Sequence, residues 1–147
     1  MQTDTVLLFQ NEWQTLQNQF DSYEKFSLLI KLLNVSLSCL LWFSLGVGLW
    51  TLLVVAILWL QDAIWCTFKE RISQRLLVVE EAIHKNISGI YHPEIVPFQF
   101  NQSWLALRPS SKGLISEYLG QASRPTVAYP HLVLIFMYIV LCMAAGN

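Results

Sequence analysis

Two patterns alternate along this chain. In some stretches apolar residues recur every three or four positions between charges; in others there is no charge at all. The longest charge-free stretch covers residues 32–61, and a second covers 125–147. Both are dense in Leu, Val, Ile, Trp and Phe, as expected of helices that cross a bilayer.

A single helix over the thirty residues of the first tract would be roughly 45 Å long against a hydrocarbon core of about 30 Å. It would need a tilt of about 50°, beyond the usual range of span tilts. Gly46-Val47-Gly48 lies near the middle of the tract and is its only glycine break, so a turn there gives a hairpin with arms of about 25–30 Å. Charge placement agrees. With a turn at 46–48, all nine Lys and Arg fall on one side, as the positive-inside rule expects of a cytoplasmic face. The C-terminal tract, read as a helix over residues 129–145, is about 25 Å long and reaches across. Pro130 suits its first turn, and Tyr129 and His131 are expected as polar anchors at the interface.

The flanking segments carry the other pattern. Val6, Phe9, Trp13, Leu16, Phe20 and Tyr23 follow spacings of 3, 4, 3, 4 and 3, a heptad stripe. Trp65, Phe68, Ile72, Leu76, Val79 and Ile83 form a second apolar face, ending near Lys85. The hairpin brings these helices together antiparallel. Pivoting at Val47, it sets Lys31 against Asp62 or Ala63, Glu24 against Lys69 and Arg71, Lys25 against Glu70, Asp21 near Arg75 and Glu12 across from Ala82. The fold class is therefore all-α integral membrane: a transmembrane helical hairpin extended by paired cytosolic stalk helices, plus a C-terminal transmembrane helix. Its parts are an N-terminal stalk helix (1–26), the hairpin (27–65), a second stalk helix (66–85), a Pro- and aromatic-rich cytosolic or interfacial region (86–128) and the last span (129–147). Within the fourth part, Pro97-Phe98-Gln99-Phe100 and Trp104-Leu105-Ala106-Leu107 read as an extended or interfacial segment, and a short helix is expected over 114–121.

Composition narrows the function by exclusion. The net charge of −1, spread in mixed clusters, gives no polybasic region for nucleic acid. Cys39, Cys66 and Cys142 are odd in number, far apart and set in apolar surroundings, so they read as packing residues. The first 26 residues lack a basic n-region, so the first span is expected to be a retained anchor. There is no Gly-rich phosphate loop, nucleophile elbow or Cys-x-x-Cys, and no cofactor is expected.

Glu81-x-x-His84 has the spacing used by di-iron bundles, and Glu12 could face it, but the motif occurs once where such a site needs it twice. A di-iron enzyme is the minor alternative; a solvated helix end is the preferred reading. His92-Pro93-Glu94 reads as a turn. The Asn-x-Ser triplets at Asn34, Asn86 and Asn101 fall in the membrane or on the cytosolic side and read as chance. Lys31 and Asp62 are the ionisable residues nearest the bilayer, a structural or gate ion pair whose reversal (Lys31→Asp with Asp62→Lys) is expected to recover part of what either loses alone.

The stalk residues Trp13, Leu16 and Phe20, with Phe98, Phe100 and Trp104, are expected to form a face for a second copy or a larger membrane partner. A short membrane hairpin continued by paired helices, over residues 5–85, resembles the SLATT-type small bacterial membrane effectors in layout. That resemblance implies a bacterial inner-membrane protein that associates with its own copies to permeabilise the bilayer; the one-sided basic residues place its N-terminus in the cytoplasm. The sequence itself equally suits a non-enzymatic accessory or protective, immunity-type subunit. The expected partners are the lipid bilayer and either a homo-oligomer or a larger membrane protein, with no nucleic acid.

Overall fold

The computed structural model describes residues 2–46, 48–88, 95–106 and 109–145; the expectations placed on Val47, Gly89, His92-Pro93-Glu94, Leu107, Arg108 and Gly146-Asn147 lie outside these. The described residues are helical, without strands. Five helices follow in order: α1 (Gln2–Leu45), α2 (Leu49–Ile87), α3 (Phe100–Ala106), α4 (Ser111–Ala122) and α5 (Pro125–Ala145). Three of them, α1, α2 and α5, are long and apolar enough to cross a membrane.

The helix ends have local causes. Gly46 follows α1 with φ +75, the left-handed conformation that ends helices and that glycine adopts without a Cβ penalty. A Cβ built there meets nothing within 4 Å, so the need for glycine is conformational and not spatial. The Thr51 amide donates to the Gly48 carbonyl at 3.0 Å, closing the first turn of α2. Ser110 stands in the N-cap position of α4. Past its end, the Ser123 hydroxyl donates to the Gly120 carbonyl at 2.9 Å. Arg124 starts α5, its carbonyl accepting from Val127 and Ala128 at 2.9 and 2.8 Å.

Two expectations about elements are corrected here. The last helix starts at Pro125, not at 129, so Pro130 lies inside it. Pro125 at the first helical position forgoes an amide that has no intrahelical acceptor anyway, whereas Pro130 gives up one i→i−4 bond. The aromatic segment after Pro97-Phe98 is helix α3 and not extended chain: Phe100 to Ala106 contains neither Pro nor Gly, and Ser103 donates to the Gln99 carbonyl at 2.9 Å.

The chain divides into two compact units, Met1–Glu24 with Phe68–Ser110 and Lys25–Thr67 with Ser111–Asn147. In the first, Phe9 and Leu16 of α1 pack with Ile72, Leu76, Val79 and Ala82 of α2, and Trp13, Phe20, Tyr23, Ile83, Ile95 and Phe100 close around them. Full burial of Phe9 contributes about 2–3 kcal/mol. The apolar stripes of both helices thus meet within one chain. Leu16 is buried, and Trp13 and Phe20 are half-buried on the same cluster.

Charged residues in this unit keep part of the expected register. Lys69 Nζ lies 3.3 Å from the Glu24 carboxylate. Asp21 is corrected: it accepts from Gln17 at 3.0 Å, and Arg75 instead reaches Glu12, with Nε–Oε1 2.8 Å and Nη2–Oε2 3.2 Å. Glu12 is buried while Asp21 is exposed, and a buried carboxylate loses far more than an exposed one if left without a cation. Arg75 also donates to the Val96 carbonyl at 3.0 Å, and the Phe98 amide donates to Glu12 Oε2 at 2.8 Å, so this one ion pair holds residues 96–98. Glu12 therefore has no tie to the Glu81-x-x-His84 pair; Glu81 instead meets Lys85 at 2.6 Å and His84 is exposed.

Candidate functional site

The second unit contains parts of α1 and α2 together with α4 and α5, and its interior is polar. Ser27, Lys31, Asn34 and Ser38 follow one another on α1 at spacings of 4, 3 and 4, so a 3.6-residue helix puts them on one face. Ser27, Asn34 and Ser38 are buried, as are Asp62 on α2 and His131 on α5. Asn34 lies about 17 Å from the end of α1, Asp62 about 20 Å from the start of α2 and His131 about 21 Å from the end of α5, at 1.5 Å per residue. The three helices thus bring their polar groups to one level.

Asp62 is the centre. Its Oδ1 accepts from the Ser27 hydroxyl at 2.6 Å, and the Cys66 thiol lies 3.8 Å from the same oxygen. Its Oδ2 faces Lys31 Nζ at 3.6 Å and His131 Nε2 at 3.5 Å. Lys31 and Asp62, expected to pair, are therefore together, and the carboxylate has three further partners that were not expected, Ser27, Cys66 and His131. Asp62 has no exposed surface, whereas 23 % of the Lys31 side chain remains exposed. The ammonium can reach out along its stem; the carboxylate cannot.

His131 joins α5 to this centre. Its Nδ1 is 2.6 Å from Asn34 Nδ2, and the Ser38 hydroxyl lies 3.5 Å from Asn34 Oδ1. An amide nitrogen only donates, so Nδ1 carries the lone pair and the ring proton sits on Nε2, facing Asp62. The Asp62 carboxylate and the Lys31 ammonium balance each other's charge. Trp59 covers the imidazole, ring centroids 5.8 Å apart and planes at 17°, and its indole N–H donates to the Ala122 carbonyl at 3.1 Å. One side chain therefore covers the histidine and holds the end of α4. Phe26 and Trp65 meet edge to face at 5.7 Å.

His131 was expected at the interface, and this too is corrected: it is fully buried, whereas the adjacent Tyr129 is 72 % exposed. Burial follows from its partners, since Asn34 and Asp62 satisfy both ring nitrogens away from water. Sequence reasoning also missed Ser27, Asn34, Ser38 and Trp59. The available signal was the spacing of the α1 polar residues inside an apolar tract. Of the other residues singled out, Phe98 is 58 % exposed, Phe100 packs on the core of the first unit, and Trp104 lies under the Arg71 guanidinium, 5.4 Å from the ring centroid. These belong to the first unit and not to the Asp62 centre.

Chemically the arrangement is a neutralised, hydrogen-bonded knot. Asp62, His131 and Asn34 each use polar atoms on one another or on Ser27, Lys31 and Ser38, and three helices are tied by it. Comparison with protein families, with curated proteins and with solved structures finds no match for this chain.

Proposed function

We propose that this chain is a non-enzymatic integral membrane protein with three spans that acts by protein–protein association, as an accessory or protective subunit of a larger membrane system. In this reading α1 and α2 form a hairpin across a bacterial inner membrane, α5 crosses a third time, and residues 2–24 of α1 and 68–87 of α2 form a paired helical stalk in the cytoplasm. The N-terminus is cytoplasmic, because all nine basic residues then lie inside.

The observation that supports this reading over an oligomeric pore is the closure of Ser27, Asn34, Ser38, Asp62 and His131 on one another within one chain. A pore built from copies needs polar groups turned towards a shared lumen. Here Ser27, Asn34, Ser38, Asp62 and His131 are all buried inside the monomer, and large apolar side chains such as Phe43, Trp50 and Phe136 are what it presents outwards. The stalk stripe that would drive self-association is likewise committed internally. Exposed Phe98, held by the Glu12–Arg75 pair, is the first candidate for partner contact.

Two measurements test this. Purified protein in vesicles carrying a potassium diffusion potential should leave the potential at the level of protein-free vesicles, and overproduction should be tolerated by cells. Collapse of the potential would favour the pore. A photo-crosslinking residue at Phe98 should give an adduct whose mass is not a multiple of the 16.9 kDa chain, while the same residue at buried Leu16 should give none. Adducts only at multiples of the chain mass would mean self-association instead.

A further inference from the structure

We infer that α4 is a membrane-interface helix, lying on the inner leaflet with Ile115 and Leu119 among the acyl chains and Lys112 at the phosphate level. The inference rests on the reading that α1, α2 and α5 cross the bilayer.

Sequence and exposure divide this helix into three arcs. Leu114, Tyr118 and Gln121 lie within about 60° of one another on a 100° wheel and are part-buried or buried, so this arc faces the protein; Gly113 and Ala122 are the other part-buried positions. Ile115 and Leu119, about 40° apart on the next arc, are 58 % and 63 % exposed. Lys112 borders them. Ser116, Glu117, Gly113 and Gly120 make up the remaining arc, which carries no large apolar side chain. A helix with one arc on protein, one apolar and open, and one polar suits a boundary between hydrocarbon and water.

The bilayer is the occupant because of what holds the helix. Its last turn is bonded to Trp59, a residue inside the apolar tract of α2, through the Ala122 carbonyl. Only Ser123 and Arg124 separate it from α5, the most apolar of the candidate spans. The helix carrying the open Ile115–Leu119 arc is thus tied to α2 and joined to α5, both of which lipid covers in this reading. Lys112, next to that arc, complements the anionic headgroups of an inner leaflet.

The test is a set of spin labels in vesicles of phosphatidylethanolamine and phosphatidylglycerol. Cys39 and Cys142 are replaced by Ala, and buried Cys66 is left in place. Single cysteines then go to Ile115, Leu119, Ser116, Glu117 and, as reference, to exposed Phe136 of α5. Collision with oxygen reports lipid and collision with a water-soluble nickel chelate reports water. Labels at 115 and 119 should show an oxygen-to-nickel ratio several-fold above labels at 116 and 117, at a depth shallower than Phe136. If 115 and 119 are as open to nickel as 116 and 117 while Phe136 stays in lipid, the inference is wrong and the spans stand. If Phe136 is also in water, the spanning reading fails and takes the inference with it. The variant Ile115→Ser with Leu119→Ser, with all cysteines native, should raise protease cleavage in α4 several-fold in vesicles without altering unfolding in detergent; unchanged cleavage would also count against the inference.

Discussion

Removing Lys31 should cost more than neutralising Asp62, although they are partners in one ion pair. The two residues stand in different solvent. Asp62 is fully enclosed, whereas nearly a quarter of the Lys31 side chain is exposed. Their charges at 3.6 Å attract by about 4–5 kcal/mol at an effective dielectric of 20, before desolvation is subtracted. In Lys31→Met the carboxylate stays buried with the Ser27 hydroxyl, the Cys66 thiol and the His131 N–H around it and no Lys31 ammonium, a situation that costs about 3–5 kcal/mol. In Asp62→Asn the ammonium can extend towards water and the amide oxygen can still accept from Ser27, so the loss should be about 1–3 kcal/mol. The double variant Lys31→Met with Asp62→Asn carries no net buried charge and should be more stable than Lys31→Met alone. Unfolding by sodium dodecyl sulfate in mixed micelles measures all three. Equal losses for the two single variants, or a double variant no better than Lys31→Met, would refute the claim that Lys31 is what neutralises Asp62. In contrast to the sequence-based expectation, the reversal Lys31→Asp with Asp62→Lys should not recover stability, because an ammonium at position 62 would face the His131 N–H, which is arranged for an acceptor. Recovery by the reversal would show that the His131 N–H does not constrain the site.

His131→Phe keeps a ring against Trp59 but leaves Asn34 Nδ2 without its acceptor, so α5 should loosen at a cost of about 1–3 kcal/mol, seen as weaker disulfide trapping between cysteines placed on α1 and α5; unchanged trapping would remove His131 from the knot. Glu12→Gln should free residues 96–98, because Arg75 and the Phe98 amide lose their shared carboxylate, and limited proteolysis should then cut there faster while the helical circular dichroism is retained. Phe98 has φ +61, unfavourable for an aromatic residue by about 1–2 kcal/mol, and its exposed ring adds little packing. Phe98→Gly should therefore stabilise by about 0.5–1 kcal/mol in the same unfolding assay, after allowance for the extra freedom of glycine in the unfolded chain.

The parts of this structure legible in the sequence are those where a single residue type is decisive over many positions. A charge-free tract with one glycine break yields helices that turn at Gly46, and a charge at either boundary of that tract marks Lys31 and Asp62 before any coordinates exist. The knot around Asp62 was harder to read. Asn34, Ser27 and Ser38 are individually tolerable in an apolar helix, and only their common face separates them from chance. His131 sits near the start of its helix, where a histidine usually meets water; its burial depends on two partners 97 and 69 residues away, which no local pattern encodes. The Glu12–Arg75 pair was missed because register counting weighs position along the helices but not which carboxylate is buried. The start of α5 shifted because two prolines competed for its first turn, and Pro125 loses no hydrogen bond there.

In the proposed topology α1, α2 and α5 each cross the bilayer once. Paired reporters, one active only outside the cytoplasm and one only inside, fused after Gly48, after Lys85 and at the C-terminus, test it most directly. The expected readings are outside, inside and outside. A fusion after Gly48 that reports from the cytoplasm would contradict the hairpin, and a C-terminal fusion that reports from the cytoplasm would remove α5 as a third crossing.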